Sequence, residues 1–177
     1  MAGLDGKHLF ETERTRVRRL TSTDEGALLA VYGERELMVW VGDGEPLGRE
    51  ACKSWLAVTQ SNYERRGYGM TLIESRTAGE LMGFVGIVHP GNQREAEVKY
   101  ALLRPHWDQG LATEVVRAMV TYGLEALGLE ELIATVDEGH VASRRVLEKA
   151  GFVEDEPRRE DDGSLTLVYR YGSAGNE

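Results

Sequence analysis

Apolar and polar positions change period several times along the chain, and each change marks an element. Over residues 11–20, Thr15, Val17 and Arg19 alternate with Arg14, Arg16 and Arg18; the period of two predicts a strand, and charge on both faces predicts an edge position. Thr21-Ser22-Thr23-Asp24 supplies helix-capping side chains ahead of Ala27, Leu28, Leu29 and Val31, so a short helix should stop near Gly33, with a second over 34–40. Beyond the loop Gly42-Asp43-Gly44-Glu45-Pro46, Cys52, Trp55, Leu56, Thr59 and Tyr63 recur at helical spacing until Gly67. From Tyr68 the period falls back to two. Strands are expected over 70–75 and 80–88, joined by the hairpin segment Arg76-Thr77-Ala78-Gly79, and a third over 96–103 after a turn at Pro90-Gly91-Asn92. A long amphipathic helix over 110–127, an apolar strand over 132–136, a helix ending at Gly151 and two strands flanking Asp161-Asp162-Gly163 complete the chain. This order predicts one α/β (α+β) domain over 1–177, without repeats or a low-complexity linker.

Composition narrows the partners. Of 177 residues, 41% are hydrophobic and 29% charged, within the range of globular domains large enough to fold without a staple. Thirty Asp and Glu against 21 Lys and Arg give a formal net charge of -9, which argues against nucleic acid as the main ligand. The lone Cys52 cannot close an internal disulfide and fits a reducing, cytoplasmic setting. His8, His89, His106 and His140 show no ligand spacing, so no metal site is expected. Neither an export signal nor a run of apolar residues long enough to span a membrane is read.

The informative segment is Leu103-Arg104-Pro105-His106-Trp107-Asp108-Gln109-Gly110-Leu111-Ala112-Thr113-Glu114, in which a strand passes through a glycine-containing turn into a helix. Helix N-termini present unpaired N–H groups, and Gly110 and Ala112 would let a phosphate approach them. Behind it, Leu111, Val115 and Met119 form one apolar stripe and Ala112, Val116 and Val120 a second, with Glu114, Arg117, Thr121 and Glu125 on the wet face. Gly42-Asp43-Gly44 lacks the third glycine of a dinucleotide fingerprint, and no Gly-Lys-Ser/Thr run supports a P-loop.

Trp107-Asp108-Gln109-Gly110-Leu111-Ala112 resembles the acetyl-CoA signature Gln/Arg-x-x-Gly-x-Gly/Ala of the GNAT N-acetyltransferase superfamily, with the aromatic first position of its RimJ/RimL-like branch. The stretch from Ala142 through Ser143-Arg144-Arg145-Val146-Leu147-Glu148-Lys149-Ala150-Gly151-Phe152 resembles the second motif of that branch, and the likeness extends over nearly the whole chain. The resemblance implies a mixed sheet of about seven strands flanked by about four helices, splayed where acetyl-CoA enters. It also implies acetyl transfer to a primary amine by direct attack in a ternary complex. The acceptor would be a protein N-terminal α-amine or a small amine, and the branch's frequent dimers leave a homodimer open, though nothing in the chain specifies an interface. Amides around Gln109, Gly110, Leu111, Ala112 and Thr113 would hold the pyrophosphate, and the pantetheine arm would lie between 101–103 and 132–136, beside Leu102 and Leu103. His140 stands where the family usually has Asn.

For the chemistry, the period of two places Glu95, Glu97, Lys99 and Ala101 on one strand face and Ala96, Val98, Tyr100 and Leu102 on the other, so Glu97 points away from the more apolar face. By resemblance Glu97 is the general base, directly or through water, and Lys99 could tie it down. The resemblance puts Leu147 where the family usually has a tyrosine acid and offers the branch's motif serine, Ser143, to meet the leaving thiolate, unless it is a plain helix serine bonding a carbonyl one turn back; the Leu103 N–H is expected to polarise the acetyl carbonyl. Arg144, Arg145 and Lys149 form a basic cluster within reach of the CoA 3′-phosphate or a solvated helix face. Met38, Trp40, Trp55 and Tyr63 line the acceptor cleft or the core. Asp43, Glu45, Glu95 and Glu97 could draw a cationic amine in. A non-catalytic acyl-CoA-binding module is the alternative that the Lys99, His140 and Leu147 departures leave open.

Overall fold

The computed structural model describes residues 3–172. Residues 1–2 and 173–177, the two ends of the expected 1–177 domain, lie outside the described residues. Strands β1 (His8–Glu11) and β2 (Thr15–Arg19) form an antiparallel hairpin, so the strand expected over 11–20 folds back at Thr12-Glu13-Arg14, and β1 is the edge strand rather than β2. The arginines that suggested an edge have partners inside the fold. Arg18 pairs with Asp24 and Glu74, and Arg16 with Glu11, while Thr15, Val17 and Arg19 turn inward.

Helix α1 (Glu25–Tyr32) starts after Asp24, whose carboxylate is taken by Arg18 and the Thr21 N–H instead of capping the helix. Helix α2 (Arg35–Met38) is a single turn, and α3 (Arg49–Arg66) ends at Gly67 with φ of 81°, the left-handed cap expected of glycine. Strands β3 (Met70–Ser75), β4 (Leu81–Val88) and β5 (Glu97–Leu102) continue the antiparallel sheet. Helix α4 (Leu111–Thr121) runs on through a wider π turn, Tyr122–Ala126, before β6 (Glu131–Asp137) and helix α5 (Val141–Lys149). Short strands β7 (Val153–Glu154) and β8 (Arg158–Arg159) both pair with β9 (Leu165–Gly172), itself antiparallel to β6. The described chain therefore has nine strands and five helices, a mixed α/β architecture; the additional strands are the split first hairpin and the two-residue β7.

Helices cover both faces of the sheet. On one, Leu28, Val31, Cys52 and Leu56 from α1 and α3 pack on Leu72, Phe84 and Ala101. On the other, Leu111, Val115, Val116 and Met119 from α4 and Leu147 from α5 pack on Val85, Val98, Leu132 and Ala134. Each fully buried Val or Leu contributes about 1.5–3 kcal/mol by leaving water, which holds α4 firmly against the strands whose ends build the site. No helix of the described residues is long and apolar enough to cross a membrane.

One ladder is different. Strands β5 and β6 are the parallel neighbours in the sheet, and they share a single registered pair, Glu97 opposite Ile133, with the Ile133 N–H bonded to the Ala96 carbonyl at 2.9 Å. Beyond that pair the strands diverge, which is the splaying the resemblance implies.

Candidate active site

The gap between β5 and β6 opens into a cavity of about 1790 Å³ that passes from the α3 side of the sheet to the first turns of α4 and α5. At its α4 end, Gly110 has φ of 76°, a left-handed conformation that a side chain would strain, and it turns the chain from β5 into the helix. The Glu114 N–H is the first to reach a helical carbonyl, that of Gly110 at 3.1 Å, so the amides of Leu111, Ala112 and Thr113 remain directed at the cavity they line. Gln109 does not line it; its side-chain amide returns to the Pro105 carbonyl at 2.7 Å. Three unpaired amides at the positive end of a helix suit a pyrophosphate without any side-chain charge.

Two supports of this turn were not read from sequence. Glu114, expected on the wet face, accepts hydrogen bonds from Thr12 (2.7 Å) and from Arg14 Nε (3.0 Å), while Arg14 Nη1 donates to the Gln109 carbonyl at 2.9 Å. Burial alone would raise the Glu114 pKa, but these bonds outweigh it and hold the carboxyl below its ordinary value. Trp107 explains the aromatic first position of the motif: its indole N–H donates to the Leu102 carbonyl at 2.6 Å and fixes the end of β5.

Along β5 the alternation is as expected, but the Glu97 face does not meet solvent. Glu97 is only 2% exposed. Its Oε1 accepts from Thr135 Oγ1 across the gap and lies 3.1 Å from Lys99 Nζ, and its Oε2 accepts from Gln93 Nε2 at 3.0 Å. Gln93 is fixed in turn by Arg158, whose Nη1 donates to Oε1 at 3.2 Å. On the opposite face Tyr100 shares a 2.5 Å hydrogen bond with Ser143 Oγ from the first turn of α5, and burial pushes the phenol up to about 12. Sequence reasoning placed Tyr100 on an apolar face and missed this pairing, since residues 43 apart carry no shared local pattern.

The expected oxyanion donor needs correction. The Leu103 N–H is already bonded to the Met82 carbonyl of the neighbouring chain segment at 2.9 Å, so it cannot also serve an acetyl oxygen. Because amides alternate sides along a strand, it is the N–H of Leu102, and before it that of Tyr100, that face the open gap. The basic cluster also divides. Arg144 turns back to Tyr169 and the Glu138 carbonyl, whereas Arg145 and Lys149 line the α5 side of the cavity. Of the four proposed cleft residues, Met38 and Tyr63 are core, while Trp40 and Trp55 line the cavity. His140 precedes α5 and stacks on the Trp40 indole, centroids 4.8 Å apart and planes 9° off parallel; burial lowers its pKa, with Asp137 opposing. Asp43, Glu45, Glu95 and Glu97 do not line the cavity, and on the acceptor side Arg65, Arg66 and Lys99 do, so the expected attraction of a cationic amine by these carboxylates has no support in the lining.

A sheet parted at one parallel ladder, with free helix-terminal amides at one end of the cavity and the partners of a buried carboxylate, Thr135 and Lys99, at the other, has the layout of an acyltransferase site. The sequence matches the Acetyltransferase (GNAT) domain over residues 14–153, and the chain belongs to that family of N-acetyltransferases. It is 34% identical over 146 residues to the uncharacterized N-acetyltransferase YoaA of Bacillus subtilis (strain 168), covering 81% of this chain and 82% of that protein. Among solved structures, an acetyltransferase from Agrobacterium tumefaciens str. C58 superposes with a TM-score of 0.74 at 28% identity, covering 93% of this chain and 94% of the other. RimL, a ribosomal L7/L12 alpha-N-protein acetyltransferase solved with coenzyme A, shares the fold with a TM-score of 0.79 over 96% of this chain and 100% of its own, at 16% identity.

Proposed function

We propose that the chain takes acetyl-CoA as donor and passes the acetyl group to a primary amine by direct attack within a ternary complex. The observation that carries this reading is the β5–β6 gap itself, whose cavity runs from the free amides of α4 to Thr135 and Lys99, the two side chains that touch the buried Glu97 carboxylate behind its wall. Leu111, Ala112 and Thr113 would hold the pyrophosphate through their N–H groups, Arg145 and Lys149 lie on the side suited to a further phosphate, and Tyr100, Leu102 and Ala134 would flank the pantetheine. Bound there, acetyl-CoA supplies an activated acyl carbon; the chain supplies everything else.

Glu97 accepts the proton that the acceptor ammonium must lose before its nitrogen can attack, directly or through water. The Leu102 N–H donates to the acetyl oxygen as negative charge gathers on it. Tyr100 is protonated at neutral pH, and the burial that pushes its pKa up to about 12 makes it reluctant to part with a proton outright; the Tyr100–Ser143 pair would instead hydrogen-bond a departing thiolate, of pKa about 8.5 as for free Cys, and relay it a proton as the pair regains one from solvent. RimL's action on a protein N-terminus supports an α-amine as one acceptor class, and small amines form the other.

A second reading has a specific observation behind it. Thr135, Gln93 and Lys99 together occupy both oxygens of Glu97, which would suit a module that binds acyl-CoA and does not turn it over. Incubation with acetyl-CoA and a panel of small amines and N-terminal peptides, following free thiol, separates the two. Turnover with at least one amine is expected; tight donor binding with no thiol released from any of them would favour the binding module.

A further inference from the structure

Lys99 carries a primary amine to the place where an acceptor amine has to go. Its Nζ lies 3.1 Å from Glu97 Oε1, the same oxygen that accepts from Thr135 on the far side of the β5–β6 gap, so the ammonium stands over the mouth of that gap on the acceptor face. The Lys99 side chain is 45% exposed and lines the cavity, whereas its carboxylate partner is buried. The other three lysines of the chain are placed differently. Lys53 pairs with Glu50 on the outer surface of α3, Lys149 is at the end of α5 on the opposite face of the sheet, and Lys7 precedes β1.

We propose that Lys99 is acetylated by the protein itself when donor is bound and no other amine fills the cleft. The inference rests on the acetyl-CoA reading above. Glu97 takes one proton from the Lys99 ammonium and later yields it to water; the Nζ lone pair forms a bond to the acetyl carbon as the carbon–sulfur bond breaks; the nitrogen sheds its second proton to water as the amide forms; and the thiolate takes one proton through the Tyr100–Ser143 pair, which regains it from water. The products are Nε-acetyl-Lys99 and CoA thiol, with no oxidant, reductant or further reactant. The flexible four-carbon stem of lysine supplies the reach, and proximity favours this amine over any lysine that meets the donor only from solution. Acetylation removes the positive charge, so Glu97 loses its ion-pair partner and keeps only the neutral Thr135 and Gln93 donors, which leaves it a better proton acceptor for an external amine. The first turnover thus primes the base.

The test uses the full chain with acetyl-CoA and no acceptor, with acetylated peptides quantified over time by mass spectrometry. Lys99 is expected to be modified at least about tenfold faster than Lys53, and Glu97→Gln to remove that lead while leaving the Lys53 rate in place, with the thermal unfolding midpoint showing that the variant is folded. Preincubation with donor is expected to abolish a lag in acetylation of an added amine, and Lys99→Arg to show no preincubation effect. If added amines are acetylated while Lys99 is modified no faster than Lys53, the Lys99 proposal is wrong and the transferase reading stands. If neither Lys99 nor any amine of the panel is acetylated, both fall.

Discussion

Glu97 and Tyr100 are three positions apart on one strand, so they point to opposite faces, and in the proposed mechanism they would meet opposite ends of the reaction. For Glu97→Gln, loss of a positioned base should lower kcat on the order of 10²–10⁴-fold, while the donor dissociation constant, set by the α4 amides, stays near its original value. Steady-state rates with titration calorimetry check this, and an unchanged pH–rate profile in the variant would take Glu97 out of the mechanism. For Tyr100→Phe, the Ser143 hydroxyl loses its partner, and a kcat decrease of about 10–100-fold is expected. That decrease should shrink when the donor carries a thiol of lower pKa, which needs less help in leaving. An equal decrease with every thiol would make Tyr100 a packing residue only.

At the scale of elements, the clamp between the β1–β2 turn and α4 sets the turn proposed to hold the pyrophosphate. Arg14 touches neither donor nor acceptor in this arrangement and acts through Glu114 and the Gln109 carbonyl, a positioning role. Arg14→Ala removes a charged hydrogen-bond partner at a stability loss of about 1–3 kcal/mol, and should raise the donor KM by roughly tenfold with little effect on kcat. Kinetics that reversed this split would refute the role. The Trp40–His140 stack joins the segment after α2 to the start of α5, and its pH dependence has a definite sign. Burial holds the folded His140 below its ordinary 6.5, so the unfolded chain binds the proton more readily. The stabilisation is present above 6.5 and declines as pH falls through 6.5 toward the lowered value. The thermal midpoint of the native chain should therefore fall on acidification across that window, and a His140→Gln variant should show a shallower fall.

These elements also show what a single sequence can carry. Cys52, Leu56, Thr59 and Tyr63 repeat at helical spacing, and α3 ends at Gly67 as that pattern dictates; Leu111, Val115 and Met119 place α4 within a residue of its start. The hairpin at Thr12-Glu13-Arg14 was hidden because it turns without Gly or Pro, among charges that read as one strand. The glycine turn into α4 was legible because its pattern is local. The bonds from Arg14 to Glu114 and from Tyr100 to Ser143 were not, because they depend on which strands and helices become neighbours. Leu103 failed for a smaller reason: its N–H points to the Met82 side of the strand, and a one-residue difference in parity decides which amide is free.

For the molecule as a whole, a sheet is only as continuous as its weakest ladder, and here that ladder is a single rivet at Glu97 and Ile133. On one side lie β1 to β5 with α1 to α3, and on the other β6 to β9 with α5, two plates made from successive stretches of sequence that α4 bridges by packing on both. Hydrogen exchange should reveal the seam: the Tyr100 and Leu102 amides should exchange far faster than those of Ala101 and Leu103, which bond to the β4 side, despite lying mid-sheet. A donor threaded through the seam would lace the plates together, slowing those two amides and raising the unfolding temperature in proportion to the logarithm of its concentration. The substrate would then serve as a missing stretch of the sheet's own hydrogen bonding, and each release of product would reopen the protein along that line.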